Sequence, residues 1–166
     1  MKILVVRFSS IGDIVLTTPI LRCIKQQLKD VELHFITKQK FVSVIENNPY
    51  VNKFYTMDDS LASVVSQLKK ENYDYIIDLH HNARTLKLKL ALGKKSFSFN
   101  KLNWKKFLAV SFKINNLPSQ HIVDRYFETV AKLGVVNDGK GLDYFINEKD
   151  EIDIESSLPA LFHNDY

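Results

Sequence analysis

Val5-Val6-Arg7-Phe8-Ser9-Ser10-Ile11-Gly12-Asp13-Ile14-Val15-Leu16 decides how the rest of the chain is read. The apolar run Ile3 to Val6 predicts a buried strand. It breaks into a short polar turn with one glycine, and an apolar helical pattern follows at once. In open α/β sheets ligands bind outside the carboxyl ends of the strands. Asp13 stands at the mouth of that first helix. Two readings of it stay open: a cap on the helix N-terminus, or an ionised carboxylate that acts as a general base toward a hydroxyl. The helix dipole and free N–H groups favour the ionised form under both.

Outward from this stretch, strand-like and helix-like segments alternate. Residues 2–7 predict a strand. Residues 14–28 predict a helix with Leu16, Ile20, Leu21, Ile24 and Leu28 on one face; Pro19 either kinks it or begins it behind a Thr18 cap. A second strand follows over 31–37, and a short helix over 41–47 ends at Asn48-Pro49. A strand over 53–57 leads to Asp58-Asp59-Ser60, which caps a helix running to about Lys70. Tyr75 to Leu79 predicts a buried strand, 81–92 a helix ending at Gly93, and 95–99 another strand. Residues 102–112 are amphipathic, 121–133 predict a helix closed by Gly134, and Leu142 to Ile146 a last strand. Such β-α repetition predicts a Rossmann-like, doubly wound parallel sheet with helices on both faces and right-handed crossovers. The domain is expected over 1–146. Residues 147–166, acidic and weakly periodic at first, are expected to be an inter-domain linker or the start of a further domain.

Composition sets bounds on function. The 166 residues suffice for one domain with a real core, and 45% hydrophobic with 25% charged residues is ordinary for a globular protein. No apolar run approaches the 18 or so residues of a membrane span, and Ile3 to Val6 is too short for a signal-peptide core. The single cysteine, Cys23, excludes an internal disulfide and reads as a small buried hydrophobe. A cytoplasmic location is expected. The net charge of +4 is unevenly spread. Between Asp78 and Asp124 there are nine bases and no acid, which leaves 14 bases against all 19 acids elsewhere. A segregated field of this kind suits an anionic partner, or a set of solvated helix faces.

The dinucleotide fingerprint is missing: Gly12 is the one glycine in the first turn, with Ser9 and Ser10 at the other small positions. There is no P-loop motif either. Exposed amides at the helix start remain suited to a phosphate or a sugar oxygen. His80-His81-Asn82-Ala83-Arg84 follows the strand ending at Leu79, again at a carboxyl edge. Adjacent histidines diverge and make a poor metal pair, so no metal site is expected. The segment suits hydrogen bonding to a polar ligand with Arg84 as an anion clamp, or a polar loop and cap. His121 and Arg125 share a helix face four residues apart, open to a functional or a structural reading. Trp104-Lys105-Lys106-Phe107 suits a membrane interface or a helix packed on the sheet. Its aromatics fall at core spacing, which argues against nucleic acid as a partner.

The opening Met1 to Pro19, with its Ser9-Ser10-Ile11-Gly12-Asp13 turn, resembles the N-terminus of the lipopolysaccharide heptosyltransferases, glycosyltransferase family 9. His34-Phe35-Ile36-Thr37-Lys38, Asn48-Pro49-Tyr50-Val51, Tyr73 to His80, His121 to Tyr126 and Leu133-Gly134 fit in order and spacing. The resemblance implies the N-terminal half of a GT-B fold. That half would bind the acceptor, lipid A with inner-core sugar, while a second domain would bind the donor, ADP-heptose. It implies transfer that inverts the anomeric carbon without metal or cofactor. Asp13 falls on the family's general base, and Gly12 on the donor–acceptor junction. Ser9, Ser10, His80, His81, Asn82, Arg84, His121 and Arg125 are the accompanying expectation for binding. Peripheral contact with the inner face of the inner membrane follows from the acceptor. Family members are roughly twice this length, so this chain alone is expected not to catalyse transfer. The alternative is a stand-alone anion-binding module.

Overall fold

The computed structural model describes residues 1–57, 60–100 and 120–151. The expected amphipathic helix over 102–112, the Asp58-Asp59 cap and most of the expected linker lie outside them. Five strands form one all-parallel sheet: β1 Lys2–Val6, β2 Glu32–Lys38, β3 Lys53–Met57, β4 Tyr75–Asp78 and β5 Lys95–Ser98, in the order β3-β2-β1-β4-β5. Among the described residues the α-helices are α1 Ile11–Val15, α2 Thr18–Gln27, α3 Ala62–Lys70, α4 Ala83–Leu92 and α5 Ile122–Phe127.

Strand alternation separates two cores. Ile3 and Val5 of β1, Leu33 and Phe35 of β2 and Ile77 of β4 face one way, onto Ile20, Leu21 and Ile24 of α2 and Val123, Tyr126 and Phe127 of α5. Leu4, Val6, Ile36, Tyr55 and Ile76 face the other way, onto Val64 and Leu68 of α3 and Leu88 and Leu92 of α4. The chain moves from β1 to β2 across α2 on the first face. It moves from β4 to β5, in the opposite lateral direction, across α4 on the second. Direction and face change together, as a constant crossover hand requires. The reversal falls between β1 and β4, which pair Ile3 with Tyr75 through Val6 with Asp78. This is the sheet's switch point.

Four expected elements are corrected, the last of them the strand over 142–146. The helix over 14–28 is two helices, broken at Leu16-Thr17. Pro19 at the second position of α2 cannot share a continuous helix with the Val15 carbonyl. The threonine hydroxyls take the freed carbonyls instead, Thr17 Oγ1 donating to Ile14 O at 2.6 Å and Thr18 Oγ1 to Val15 O at 2.8 Å. The helix over 121–133 stops at Phe127, and a 3-10 turn, Ala131–Leu133, carries the chain to Gly134. The segment expected as a helix over 41–47 is a 3-10 turn over Gln39–Val44.

Leu142 to Ile146 adds no sixth strand. Residues 136–143 lie instead along α2, held by side chains, and Phe145 packs edge-on to Tyr50. Val136 exchanges hydrogen bonds with the Gln27 amide at 2.8 and 2.9 Å. The Arg22 guanidinium takes Asp138 and Asp143, and the Asp143 N–H donates to Thr18 Oγ1 at 2.9 Å. These contacts draw Asp143 inward and leave Leu142, Tyr144 and Ile146 exposed, the reverse of a buried strand's parity.

Candidate functional site

Arg7 follows β1 directly and continues its ladder through an N–H to Ile36 O contact of 3.1 Å. Its side chain is buried and reaches across the switch point. Nε donates to Ser9 O at 2.7 Å, and Nη1 donates to Leu79 O, beyond β4, and to Tyr126 Oη of α5 at 2.9 Å. Nη2 pairs with Asp13 Oδ2. A guanidinium supplies five donors and keeps its charge at any ordinary pH, so burial is tolerated once those donors are matched.

Asp13 is the third residue of α1, behind Ser10 as the N-cap. Its Oδ2 accepts from the Ser10 N–H at 3.2 Å and from Ser10 Oγ at 3.0 Å. It thus serves the helix start as half of a capping box, although it is not itself the N-cap. Its side chain is still 36% exposed, so capping and chemistry are compatible. Partial burial pushes the Asp13 carboxyl up, but the Ser10 N–H and the Arg7 charge outweigh it and hold the group below the ordinary carboxylate range. Burial pushes the Tyr126 hydroxyl up to about 12, which keeps it protonated at neutral pH. Gly12 lies between Ser10 and Asp13 in open space: a Cβ there would meet nothing within 4 Å.

The second carboxyl edge is organised by Asp78. Its Oδ1 accepts from the N–H groups of His80 and His81 at 3.1 and 2.7 Å, and its Oδ2 pairs with Lys89 Nζ at 2.8 Å. Burial raises the Asp78 carboxyl, but Lys89 and the His81 N–H bring it below its ordinary range. His81 turns the chain in the left-handed region at φ 47°. Its Nδ1 lies 2.7 Å from Phe99 O, and because a carbonyl only accepts, Nδ1 carries a proton and donates, which leaves Nε2 as the ring nitrogen turned to other partners. His80 tilts against Phe8, ring centroids 5.2 Å apart.

The structure joins some of the expected residues. Ser9, Ser10 and Asp13 meet at Arg7. His81 reaches the same centre through Phe99, whose ring lies edge-on to Tyr126 at 5.0 Å. Asn82 caps α4, accepting from the Arg84 and Thr85 N–H groups at 2.9 and 3.0 Å. Arg84 is exposed in the first turn of α4. His121 caps α5 with Nδ1, 3.3 Å from the Val123 N–H, beside a shallow cleft of about 250 Å³ that Pro19, Asp124 and Gly141 also line. Arg125 does not share an open face with His121: it is buried, donates to Asn100 O and lies over Phe99 at 5.6 Å. Arg7, Asp78, Lys89, Phe99 and Tyr126 were not expected at the site. The available signal was parity: Arg7 continues the inward face of β1, and Asp78 ends an otherwise apolar run.

One cluster elsewhere has the composition of a cation site. Ligand atoms of Glu32, His34 and Glu71, at the opposite edge of the sheet, lie within 4.8 Å of one another. Lys2 Nζ already sits 2.7 Å from Glu71 and 3.2 Å from Glu32, and Lys53 lies 2.6 Å from Glu71. The lysines supply the charge that a metal would.

The β3-β2-β1-β4-β5 parallel sheet with helices on both faces is a Rossmann-like domain, and its fold matches one half of GT-B structures. In sequence the chain is similar to lipopolysaccharide heptosyltransferases. It is 28% identical over 135 residues to lipopolysaccharide heptosyltransferase 1 of Campylobacter coli, and 23% identical over 142 residues to lipopolysaccharide heptosyltransferase 3 of Escherichia coli. Each match covers 76% of this chain and 40% of the relative, so the chain spans less than half the length of the curated relatives it matches. The fold is similar to a glycosyl transferase family 9 structure from Veillonella parvula, with TM-score 0.68 at 21% identity over 89% of this chain and 45% of that one. It is also similar to Escherichia coli heptosyltransferase WaaC with ADP, with TM-score 0.67 at 23% identity over 86% and 50%. No family model matches the chain. Among the described residues no helix is long and apolar enough to cross a membrane.

Proposed function

We propose that this chain is the acceptor-binding part of an inverting glycosyltransferase that moves heptose from ADP-heptose to the lipopolysaccharide inner core, with Asp13 as the general base. One observation carries the reading. Asp13 is ionised, anchored and still open to solvent at the sheet's switch point. A base needs all three: a free lone pair, a fixed position and access to the hydroxyl it serves. Gly12 supports it, since among the described residues nothing stands where its Cβ would be. In this reading residues 1–146 hold the acceptor and residues 147–166 lead toward a donor-binding domain. The comparisons support the setting, because the matched relatives are heptosyltransferases of which this chain covers 40%.

His81 Nε2 and the exposed Arg84 at the second edge are then the groups offered to the acceptor's hydroxyls and phosphates. Such an acceptor brings the protein to the inner face of the inner membrane as a peripheral partner. The test is Asp13→Ala in the enzyme that includes the donor domain. Transfer is expected to fall by a factor of about 10² to 10⁴ with ADP-sugar binding retained. Near-normal transfer removes Asp13 from the mechanism and favours a binding module.

A further inference from the structure

Asp13 meets its surroundings through one oxygen. Oδ2 accepts from the Ser10 N–H at 3.2 Å and Ser10 Oγ at 3.0 Å, and carries the pair with Arg7. Oδ1 has no partner among the described residues. Arg7, only 6% exposed, is tied to the Ser9 carbonyl behind β1, the Leu79 carbonyl behind β4 and the Tyr126 hydroxyl on α5. Its ring-facing contact with Tyr126, 5.9 Å to the centroid, adds a further constraint. A short helix of five residues, α1, would hold its third side chain loosely without such a brace.

We infer that Arg7 is a positioning residue: it fixes Asp13 by Oδ2 to the rigid edge of β1 and β4, and so leaves Oδ1 as the oxygen that receives the proton. The inference rests on the reading of Asp13 as base. In that step the acceptor oxygen bonds to the anomeric carbon and its proton passes to Oδ1. The sugar–phosphate bond breaks, and the diphosphate leaves with the bonding pair. Asp13 then returns its proton to solvent. The charged and titratable groups that face Asp13 among the described residues are Arg7 and, behind it, Tyr126 with Arg125 near its ring. The Ser10 N–H and the Arg7 guanidinium, both on Oδ2, are what hold Asp13 in its ionised form against its partial burial.

The experiment has two arms. In the first, the Asp13 carboxyl is titrated by carbon-detected NMR in the wild-type protein, Arg7→Gln and Arg7→Lys, with the Arg7 guanidinium resonances followed in the wild type. The wild-type carboxyl is expected to titrate below the ordinary aspartate range. Arg7→Gln should raise it by about one pH unit, and Arg7→Lys should largely restore it. The Arg7 Nη resonances should be resolved and slow to exchange, as four fixed partners demand; averaged resonances overturn the brace even if Arg7→Gln fails to fold. In the second arm, transfer by the enzyme with its donor domain is followed against pH. Arg7→Gln is expected to lower kcat about 100-fold with KM little changed and the acid limb moved upward, and Arg7→Lys to recover most of the loss. A folded Arg7→Gln protein with an unmoved Asp13 titration and wild-type kcat overturns the inference, as does Arg7→Lys without rescue. The arms separate the two ideas. If Asp13→Ala transfers normally, the base reading falls whatever the NMR arm shows. If Asp13 is essential but indifferent to Arg7, only the positioning role falls.

Discussion

Arg22 grips Asp138 with two parallel hydrogen bonds, Nε to Oδ2 at 2.9 Å and Nη2 to Oδ1 at 2.8 Å, across 116 residues of chain. The same guanidinium takes Asp143 and, at 3.0 Å, the Gly141 carbonyl. The forked geometry of a guanidinium fits this task and an ammonium does not. The grip raises the affinity of Arg22 for its proton and holds the Asp138 carboxyl well below its ordinary range, first through the hydrogen bonds from Arg22. Arg22→Met should cost about 3 kcal/mol in urea unfolding, because Arg22 is almost fully buried and its two carboxylates would lose their counter-charge. A depressed folded-state pKa contributes stability above the unfolded value, lost as pH falls through the folded one. Wild-type stability should therefore drop below about pH 4, and Asp138→Asn should show a shallower acid limb.

Asp78 and Lys89 form the corresponding pair inside the second edge. The Asp78 side chain is fully buried and that of Lys89 only 12% exposed. Lys89→Met leaves a buried carboxylate without its counter-charge and should cost about 3 kcal/mol. The double variant with Asp78→Asn should cost less than the sum, since the orphaned charge is gone. Amide exchange reports the local consequence. The His80 and His81 N–H groups, both bound to Asp78 Oδ1, should exchange faster in Asp78→Ala than amides of β1 or β2.

Apolar runs made β1, β2 and β4 legible in the sequence, and the polar turn between Phe8 and Asp13 marked a carboxyl edge. The doubly wound sheet follows from those signals alone. Side-chain contacts over long separations were not legible. Arg7 earns its burial from the Leu79 carbonyl 72 residues away and the Tyr126 hydroxyl 119 residues away, and no local period encodes either. The helix expected over 121–133 shows another limit. Its apolar spacing is helical, yet Thr129 Oγ1 donates to Tyr126 O at 2.6 Å and ends the ladder. At Leu142 to Ile146 the alternation was real, but Arg22 and Thr18 decided which parity faced inward. In the sequence the basic segment is one continuous field. In the structure Lys89 is drawn inside against Asp78, and Lys94 reaches Asn72 Oδ1 at 2.6 Å, so part of that charge serves the fold.

His34 gives the fold a pH dependence of its own. It is fully buried in β2, with Nδ1 2.9 Å from Tyr73 Oη and Nε2 2.8 Å from Glu32. Burial lowers its pKa below 6.5, and the opposing pull of Glu32 does not cancel it. The unfolded chain therefore takes up a proton that the native state resists. Stability should be full above the unfolded value and fall as pH drops below about 6.5. One proton limits the slope to about 1.4 kcal/mol per pH unit. Lys2, Lys53, Glu32 and Glu71 surround the ring, and all hold their charge through this window, since the lysine pKa values are raised and the carboxyl values lowered. Chemical unfolding at pH 7 and pH 5 checks this, and His34→Gln should flatten the difference.

Gly12 separates the needs of the fold from those of the chemistry. It lies within α1, outside the left-handed region, and a Cβ there would touch nothing within 4 Å. Among the described residues nothing calls for a glycine at this position. Gly12→Ala should fold and gain about 0.5 kcal/mol, because alanine restricts the unfolded chain at a backbone geometry it readily adopts. If the open space is where acceptor and donor meet, the added methyl group stands in it. Under the proposed function, turnover in a protein that includes the proposed donor-binding domain should then fall at least about tenfold, since small misplacements of reacting groups are costly. Urea midpoints and kcat measured on the same preparation test both halves. A stabilised variant with wild-type turnover would show that the ligands meet away from Gly12, whereas a destabilised one would mean that the space serves packing.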